Sequence, residues 1–430
     1  MPKKHYGWKL GGPLPKIGSH SLAKHQVFER YIERYIERYI DIVAPHPAQR
    51  NLNLTIVDGF CGGGRYLYGS ETILGSPLIL LKSVRAGEAK LALQRQHGFE
   101  IKADFFFVDK SKDHIDFLRS ELAASEFKNE LDRSIYLKND TFERQSPSII
   151  EFIQKKGTSH RSLFFLDQYG WSAVSFEVIR KIFASLKHPE VLLTFSVDSL
   201  IDYFREKTAG TKAGRAIALN GAFASQLVNL KTEQGARYLI QNFLYQHILD
   251  NTGAKYYTPF FIKSADNHRS YWLLHLSSQE RARDEMARLH WDMTNTFVHH
   301  GKAGFNALGF DPDVDPDQQL LEFDFGTSAR TDSVNAAVEQ LPRFIREDTS
   351  SSDGPVTIGE LFRARCNDTP LTMPLVGEAV VKLRDELEEV EILGPDGKIR
   401  PKALKLGWND RVRPRKQRTF YRGFGNKPGK

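Results

Sequence analysis

The densest chemistry in this chain lies in the stretch VDGFCGGGRY, residues 57–66. Asp58 closes a β-branched apolar run, and Gly59, Gly62, Gly63 and Gly64 follow within six residues. Glycines so placed let the backbone turn tightly and approach a ligand closely, while the helix start beyond favours negative charge. The spacing G-x-x-G-G-G is not the dinucleotide fingerprint G-x-G-x-x-G, and a purely structural tight turn remains an alternative. Acids recur at the ends of later apolar runs: Asp109 after ADFFFV, Asn139-Asp140 after SIYLK, and Asp167 after SLFFL. Ligands of open α/β sheets bind beyond the carboxyl ends of the strands. Each acid alone could instead cap a helix.

A second constellation is Asp167-Gln168-Tyr169-Gly170-Trp171, where carboxylate, carboxamide and aromatic groups stand together. A base flipped from its stack needs such edge contacts and stacking. Tyr169 and Trp171 could equally belong to a core. His20, His25, His268, His275, His290 and His299-His300 lack ligand spacing with carboxylates or thiols and read as structural or surface groups. There is no Walker loop, no G-x-S-x-G elbow and no H-E-x-x-H.

The elements that must position these groups follow from periodicity. Apolar strands are expected at 52–60, 103–110, 134–140, 162–171 and 190–198, the last ending at Asp198. Amphipathic stretches at 111–124, 143–156 and 175–187 separate them, which implies βα units and a largely parallel, buried sheet. Residues 256–264 and 270–278 suit an antiparallel pair at the sheet edge. The 45 residues from Gly64 to Asp109 exceed the ~20 of a plain Rossmann unit. The excess fits an insertion, RYLYGSETILGSP, and a loop near 86–101. Upstream, ERYIERYIERYI (29–40) places Tyr31, Tyr35 and Tyr39 beside Ile32, Ile36 and Ile40 on one helical stripe. Arg30 can pair with Glu33, and Arg34 with Glu37. The stripe is expected to pack on the main domain, a partner-binding helix being the alternative.

Residues 309–333, Asp/Pro-rich at their start, read as a linker. A helix over 334–346 follows, then PVTIGELFRARC with Thr357 and Glu360 spaced as a capping box. LTMPLVGEAVVKLRDEL comes next, and VEILGPDGKIR turns at Gly394–Gly397. Helix, helix, helix, hairpin is the winged-helix order. Twelve Lys/Arg lie between Lys398 and Lys430 against one acid, Asp410. That stretch carries +11 of a net +7, which leaves the rest of the chain at −4. Such asymmetry is expected of a polyanion binder, with Lys398, Arg400, Arg411, Arg413, Arg415, Lys416 and Arg418 as the contacting cations. A solvated tail is the plainer reading.

The 430 residues favour two or three domains, and 40% hydrophobic with 26% charged residues is globular composition. The N-terminus lacks the apolar segment of a signal peptide, and no apolar run reaches membrane-span length. A cytoplasmic protein is expected. Two distant cysteines, Cys61 and Cys366, argue against a disulfide framework or a thiolate metal site.

With these residues in view, the chain resembles the bacterial three-Cys-motif partner (TcmP) family. The likeness is carried by VDGFCGGGRY, LGSPLILL, FFFVDK, LFFLDQYG, LLTFSVDSLIDYF and the SYWLLHLSS…ARDEMARLHW block, and extends to HSLAKHQVFERYIERYI and PVTIGELF…LVGEAVVKLRDE. It covers nearly the whole chain. The glycine loop also resembles the D-x-F-x-G-x-G loop of S-adenosylmethionine (SAM) methyltransferases. These resemblances imply an α/β fold: a Rossmann-like SAM-methyltransferase sheet with helices on both faces, and a C-terminal winged-helix domain. The expected divisions are 1–50 (helical segment), 51–308 (Rossmann domain), 309–333 (linker), 334–400 (winged helix) and 401–430 (basic tail). SAM would be held by Asp58, Gly59, Phe60, Gly62, Gly64, Asp109 (ribose diol), Asn139 and Asp140 (adenine amino group). Asp167, Gln168 and Tyr169 would be catalytic. The DQYG element resembles the D-P-P-Y element of amino-methyltransferases, with Gln168 where proline is usual. The implied partner is a separate radical-SAM-like protein that bears the three cysteines.

Three readings follow. One is a SAM-dependent methyltransferase acting on nucleic acid. Another is a non-catalytic accessory of DNA repair or phage defence, favoured by Gln168 and by the acidic helix at 371–387, where only Lys382 and Arg384 are basic. The third is a nuclease using Asp58, Asp109 and Asp167 with a metal.

Overall fold

A computed structural model describes residues 7–43, 51–94, 99–196, 200–201, 204–230, 236–263, 270–293, 299–300, 322–323, 327–352 and 354–415. The chain divides into two compact units, 1–302 with 307–329, and 330–430 with 303–306.

The first unit is built on a seven-stranded sheet. Its members are β1 (Asn51–Asp58), β4 (Glu100–Asp109), β5 (Ile135–Asn139), β6 (Arg161–Leu166), β7 (Pro189–Phe195), β8 (Tyr256–Lys263) and β9 (Ser270–Ser277). The order is β5-β4-β1-β6-β7-β9-β8. The first five pair in parallel, and β9 runs antiparallel to both β7 and β8. The expected antiparallel pair therefore forms at the sheet edge. Interior strands are apolar along their length because both faces are covered: Leu163–Leu166 and Val191–Leu193 are fully buried. Between β1 and β6 the chain reverses its direction of travel across the sheet, which opens a crevice at their carboxyl ends.

Between β1 and β4 the insertion is a hairpin, β2 (Arg65–Tyr68) and β3 (Glu71–Leu74), followed by α2 (Ser76–Gln94). Residues 86–94 are thus helical, where a loop was expected. Helices α3 (Lys112–Ala123), α4 (Phe142–Lys155) and α5 (Phe176–Ser185) fall where the amphipathic stretches place them. Asp198 lies outside the described residues.

The repeat at 29–40 lies in α1 (Ser19–Val43), and Tyr31, Ile32, Tyr35 and Ile36 are all at most 2% exposed. Tyr39, Ile40 and Glu37 have side chains outside the described set. Arg34 reaches out of its own helix to Glu285 at 3.8 Å and to Asp292. A buried network seals the helix to the sheet: Tyr31 Oη contacts Glu190, and His275 Nε2 lies 3.0 Å from both Tyr31 Oη and Glu190 Oε2.

A helix, Thr327–Ser352, supplies most of its length to the second unit from residue 330 onward, so 327–333 are helical, not linker. Two shorter helices follow, Ile358–Arg363 and Met373–Asp385. Thr357 and Glu360 form the capping box, with Glu360 N donating to Thr357 Oγ1 at 3.0 Å and Thr357 N to Glu360 Oε2 at 2.9 Å. A three-stranded antiparallel sheet combines Val356–Thr357, Val390–Leu393 and Arg411–Pro414, the last lying in the middle. Residues 401–415 therefore belong to this unit and not to a tail. The described helices include none long and apolar enough to cross a membrane.

Candidate functional site

The carboxyl ends of β1, β4, β5 and β6 bring the predicted acids to one edge. Gly59 N donates to Phe165 O at 2.9 Å and Cys61 N to Val108 O at 3.1 Å, which stitches the glycine loop to both neighbouring strands. Gly62 and Gly64 adopt φ of +59° and +86°, a region that favours glycine. Asp109 closes the loop: its Oδ2 accepts from Gly62 N at 3.1 Å, while Oδ1 accepts from Ser111 N at 2.8 Å and lies 3.1 Å from His114 Nδ1. Asn139 stands opposite Asp109 in the parallel register and donates through Nδ2 to its carbonyl at 3.2 Å. Asp140 accepts from Thr141 N at 2.8 Å and Gln145 Nε2 at 3.1 Å, and these bonds hold its carboxyl below the usual carboxylate range. Two of the four acids thus also serve the helix starts that follow them.

Asp58 is 1% exposed and its Oδ1 accepts from Phe60 N at 3.1 Å. Burial pushes its carboxyl up to about 7, against the Ser76 hydroxyl and the Phe60 amide, with Asp167 and Asp109 adding repulsion. Burial likewise raises the Cys61 thiol, which reads as an inert packing group.

Asp167 meets a residue that strand-end reasoning missed. Lys24, from α1, is 7% exposed and places Nζ against both carboxylate oxygens, 2.6 Å from Oδ2. Burial works to raise Asp167, but Lys24 and its hydrogen bonds hold it below the ordinary carboxylate value. The adjacent His25 is driven down to about 4 by burial, partly opposed by Asp167, so it is neutral at pH 7. Nothing in linear spacing links residues 143 positions apart; HSLAKHQ at the opening of an apolar-striped helix is the only trace.

Gln168 is 3% exposed, and its Oε1 accepts from Ala173 N at 2.8 Å and Val174 N at 2.9 Å. Its carbonyl is committed to shaping the 168–174 loop, and its Nε2 is buried without a partner among the described residues. Tyr169 is 73% exposed, and Trp171 packs against the main core.

The glycine loop is covered. Trp8 is 3% exposed and donates from Nε1 to Arg65 O at 2.6 Å. A Cβ at Gly62 would stand 2.7 Å from the indole, and one at Gly63 only 2.3 Å. The same ring meets Tyr66 and His114 edge-on, with centroids 5.0 and 4.8 Å away. The cradle that an adenosyl group would need is filled by this side chain, so the residues do not fit that group in this conformation.

Among the described residues, no three His, Cys, Asp or Glu side chains are grouped to hold a metal ion. In the second unit, the expected cations are partly neutralised. Arg413 pairs with Glu391 at 2.8 Å, Arg415 with Glu388 at 2.6 Å, and Arg400 with Asp410. Lys398 stays exposed, 3.9 Å from Asp396, and Arg411 is exposed. Lys416 and Arg418 lie outside the described residues.

No family model matches the chain, and no curated protein does. Among solved structures it is similar to Trm1 from Pyrococcus horikoshii in complex with S-adenosyl-L-methionine, at 12% identity, covering 75% of this chain and 73% of that one, with a TM-score of 0.30. It is also similar to a possible exported protein from Bordetella parapertussis (11% identity, 59% and 66% covered, TM-score 0.26) and to StiE O-MT residues 942–1257 (12% identity, 59% and 75% covered, TM-score 0.21).

Proposed function

We propose that this chain is a methyltransferase-like protein whose SAM site lies at the carboxyl ends of β1, β4 and β5, and which acts on or with nucleic acid beside a three-Cys-motif, radical-SAM-like partner. The observation that supports it is the bond from Gly62 N to Asp109 Oδ2, with Asn139 and Asp140 directly alongside. It ties the glycine loop to the acid suited to a ribose diol, at the switch point where open α/β sheets bind ligands. Asp167 and the exposed Tyr169 stand at the neighbouring strand end, where a substrate base would approach. The second unit is read as a winged helix whose exposed cations contact phosphates with little sequence choice. A cytoplasmic location accords with this reading.

The accessory reading is favoured by Trp8, which fills the cradle and leaves no room for a cofactor as the arm now lies. The nuclease reading gains nothing from the arrangement of Asp58, Asp109 and Asp167, since Asp58 is buried and Asp167 is bound to Lys24. Titration calorimetry with SAM on the wild type and Asp109→Ala tests the proposal. Saturable binding that Asp109→Ala abolishes supports it; wild-type protein that binds nucleic acid but never SAM favours the accessory role.

A further inference from the structure

The segment that carries Trp8 is bridged to the first unit at residues 15–17. Ile17 N donates to Leu67 O at 3.0 Å, and Leu67 N to Pro15 O at 2.9 Å, so the arm runs along the β2–β3 hairpin. Beyond that bridge, Lys9 to Pro13 are exposed, and Leu10 is 63% exposed. Gly11, at φ +74°, and Gly12 stand between the bridge and Trp8, and two glycines can absorb large backbone rotations. Only the indole is deeply seated.

Its seat is specific. The ring lies on the backbone of Gly62 and Gly63, beneath it Gly62 N is bonded to Asp109 Oδ2, and at its edge His114 reaches Asp109 Oδ1. We infer that the N-terminal arm is an internal competitor: Trp8 covers the Gly62–Gly63 end of the adenosyl site, next to Asp109, and ligand enters only in molecules whose arm has swung away. This inference rests on the adenosyl reading above, and turns the misfit of the closed cradle into a gate.

A ligand that binds one member of a two-state equilibrium has an apparent Kd equal to the intrinsic Kd divided by the competent fraction. A seat that keeps the arm closed in nine molecules of ten therefore weakens binding about tenfold. The experiment compares S-adenosylhomocysteine affinity by calorimetry in the full-length wild type, Trp8→Ala and a deletion of residues 2–12, which spares the Pro15–Ile17 bridge. Circular dichroism melts verify that each variant is folded. In parallel, 5-fluorotryptophan ¹⁹F NMR of the wild type resolves the five tryptophans, with Trp8 assigned through Trp8→Phe. The expected result is binding at least tenfold tighter in both variants, with the wild-type Trp8 resonance moving to a solvent-exposed position as ligand is added. Equal affinity in all three proteins overturns the gate while the adenosyl reading stands. Binding by the wild type that Trp8→Ala loses also overturns it, because Trp8 is then part of the ligand's site. No binding by any of the three overturns both.

Discussion

Lys24 Nζ stands 2.6 Å from Asp167 Oδ2, a contact that joins the first helix to the far end of the fourth parallel strand. Helix α1 also covers the sheet through Tyr31 and Tyr35, so the pair fixes where the helix starts relative to the site. Removing one member of a buried ion pair costs roughly 3–5 kcal/mol because the other charge is left uncompensated. Asp167 keeps 26% of its side-chain surface, so solvent screening reduces the effect. Lys24→Met is expected to destabilise the first unit by about 1–3 kcal/mol at pH 7. Adding Asp167→Asn should restore a measurable part of that loss. Urea denaturation of the two single variants and the double variant measures the coupling; strictly additive losses would mean the contact contributes nothing. The folded-state pKa of Asp167 is depressed, so its contribution is present above the unfolded value near 4 and lost as pH falls below it.

Asp58 and His25 make opposite demands on pH. Asp58 titrates near 7 in the fold but near 4 when unfolded, so between those values the folded state holds the extra proton and stability falls as pH rises. His25 titrates near 4 in the fold but near 6.5 when unfolded, so between those values the unfolded state holds the extra proton and stability rises with pH. Each slope is about 1.4 kcal/mol per pH unit at full effect, and in the wild type they largely cancel. Asp58→Asn is therefore expected to make stability climb from pH 4.5 to 6.5, and His25→Gln to make it decline. Denaturation midpoints at pH 4.5, 5.5 and 6.5 measure both tilts, and tilts of the same sign would contradict this account.

Much of this scaffold is written in short-range patterns. Near-continuous apolar strands, amphipathic stretches and the Thr357/Glu360 box report on immediate neighbours, and those elements fall where periodicity puts them. The glycine loop and Asp109 were legible for the same reason, since strand ends in parallel sheets converge. The contacts that decide the site's state were not. Trp8 reaches Arg65 across 57 residues and Lys24 reaches Asp167 across 143, and neither pair has a period. Gln168 shows a subtler limit: its place beside Asp167 suggested a ligand contact, yet its carbonyl caps backbone amides of its own loop. The strand Arg411–Pro414 was hidden among lysines and arginines, whose charge read as a tail.

Gly63 lies at negative φ, so only space forbids a larger residue there. A Cβ 2.3 Å from Trp8 Cγ cannot coexist with the seated indole. Gly63→Ala is expected to cost about 1–3 kcal/mol, as overpacking does, and to unseat Trp8. Tryptophan emission should shift to the red, as it should not when Gly221, which has open space around it and no positive φ, is changed to a serine. Combining Gly63→Ala with Trp8→Ala should remove most of the extra cost, since the clash then has no partner. If the double variant is destabilised by the full sum of the two single losses, the seat described above is wrong.

Truncation after Gly397 would remove the central strand of the three-stranded sheet, so it tests folding and not charge. Point substitutions separate the two. Arg413 and Arg415 are engaged by Glu391 and Glu388, whereas Lys398, Lys402, Lys405 and Arg411 project from the surface. Each phosphate neutralised by a cation contributes about 0.9 to the salt slope of duplex binding. Alanine at Lys398, Lys402, Lys405 and Arg411 together is expected to weaken binding to a labelled 20-base-pair duplex of arbitrary sequence by at least tenfold at 50 mM salt, and to flatten the slope by two or more. Arg413→Ala should leave the slope within half a unit and instead lower the thermal midpoint of the second unit, because Glu391 loses its cross-strand partner. Fluorescence anisotropy between 50 and 200 mM salt reads both effects. A quadruple variant with unchanged slope would place the polyanion contact elsewhere on the chain.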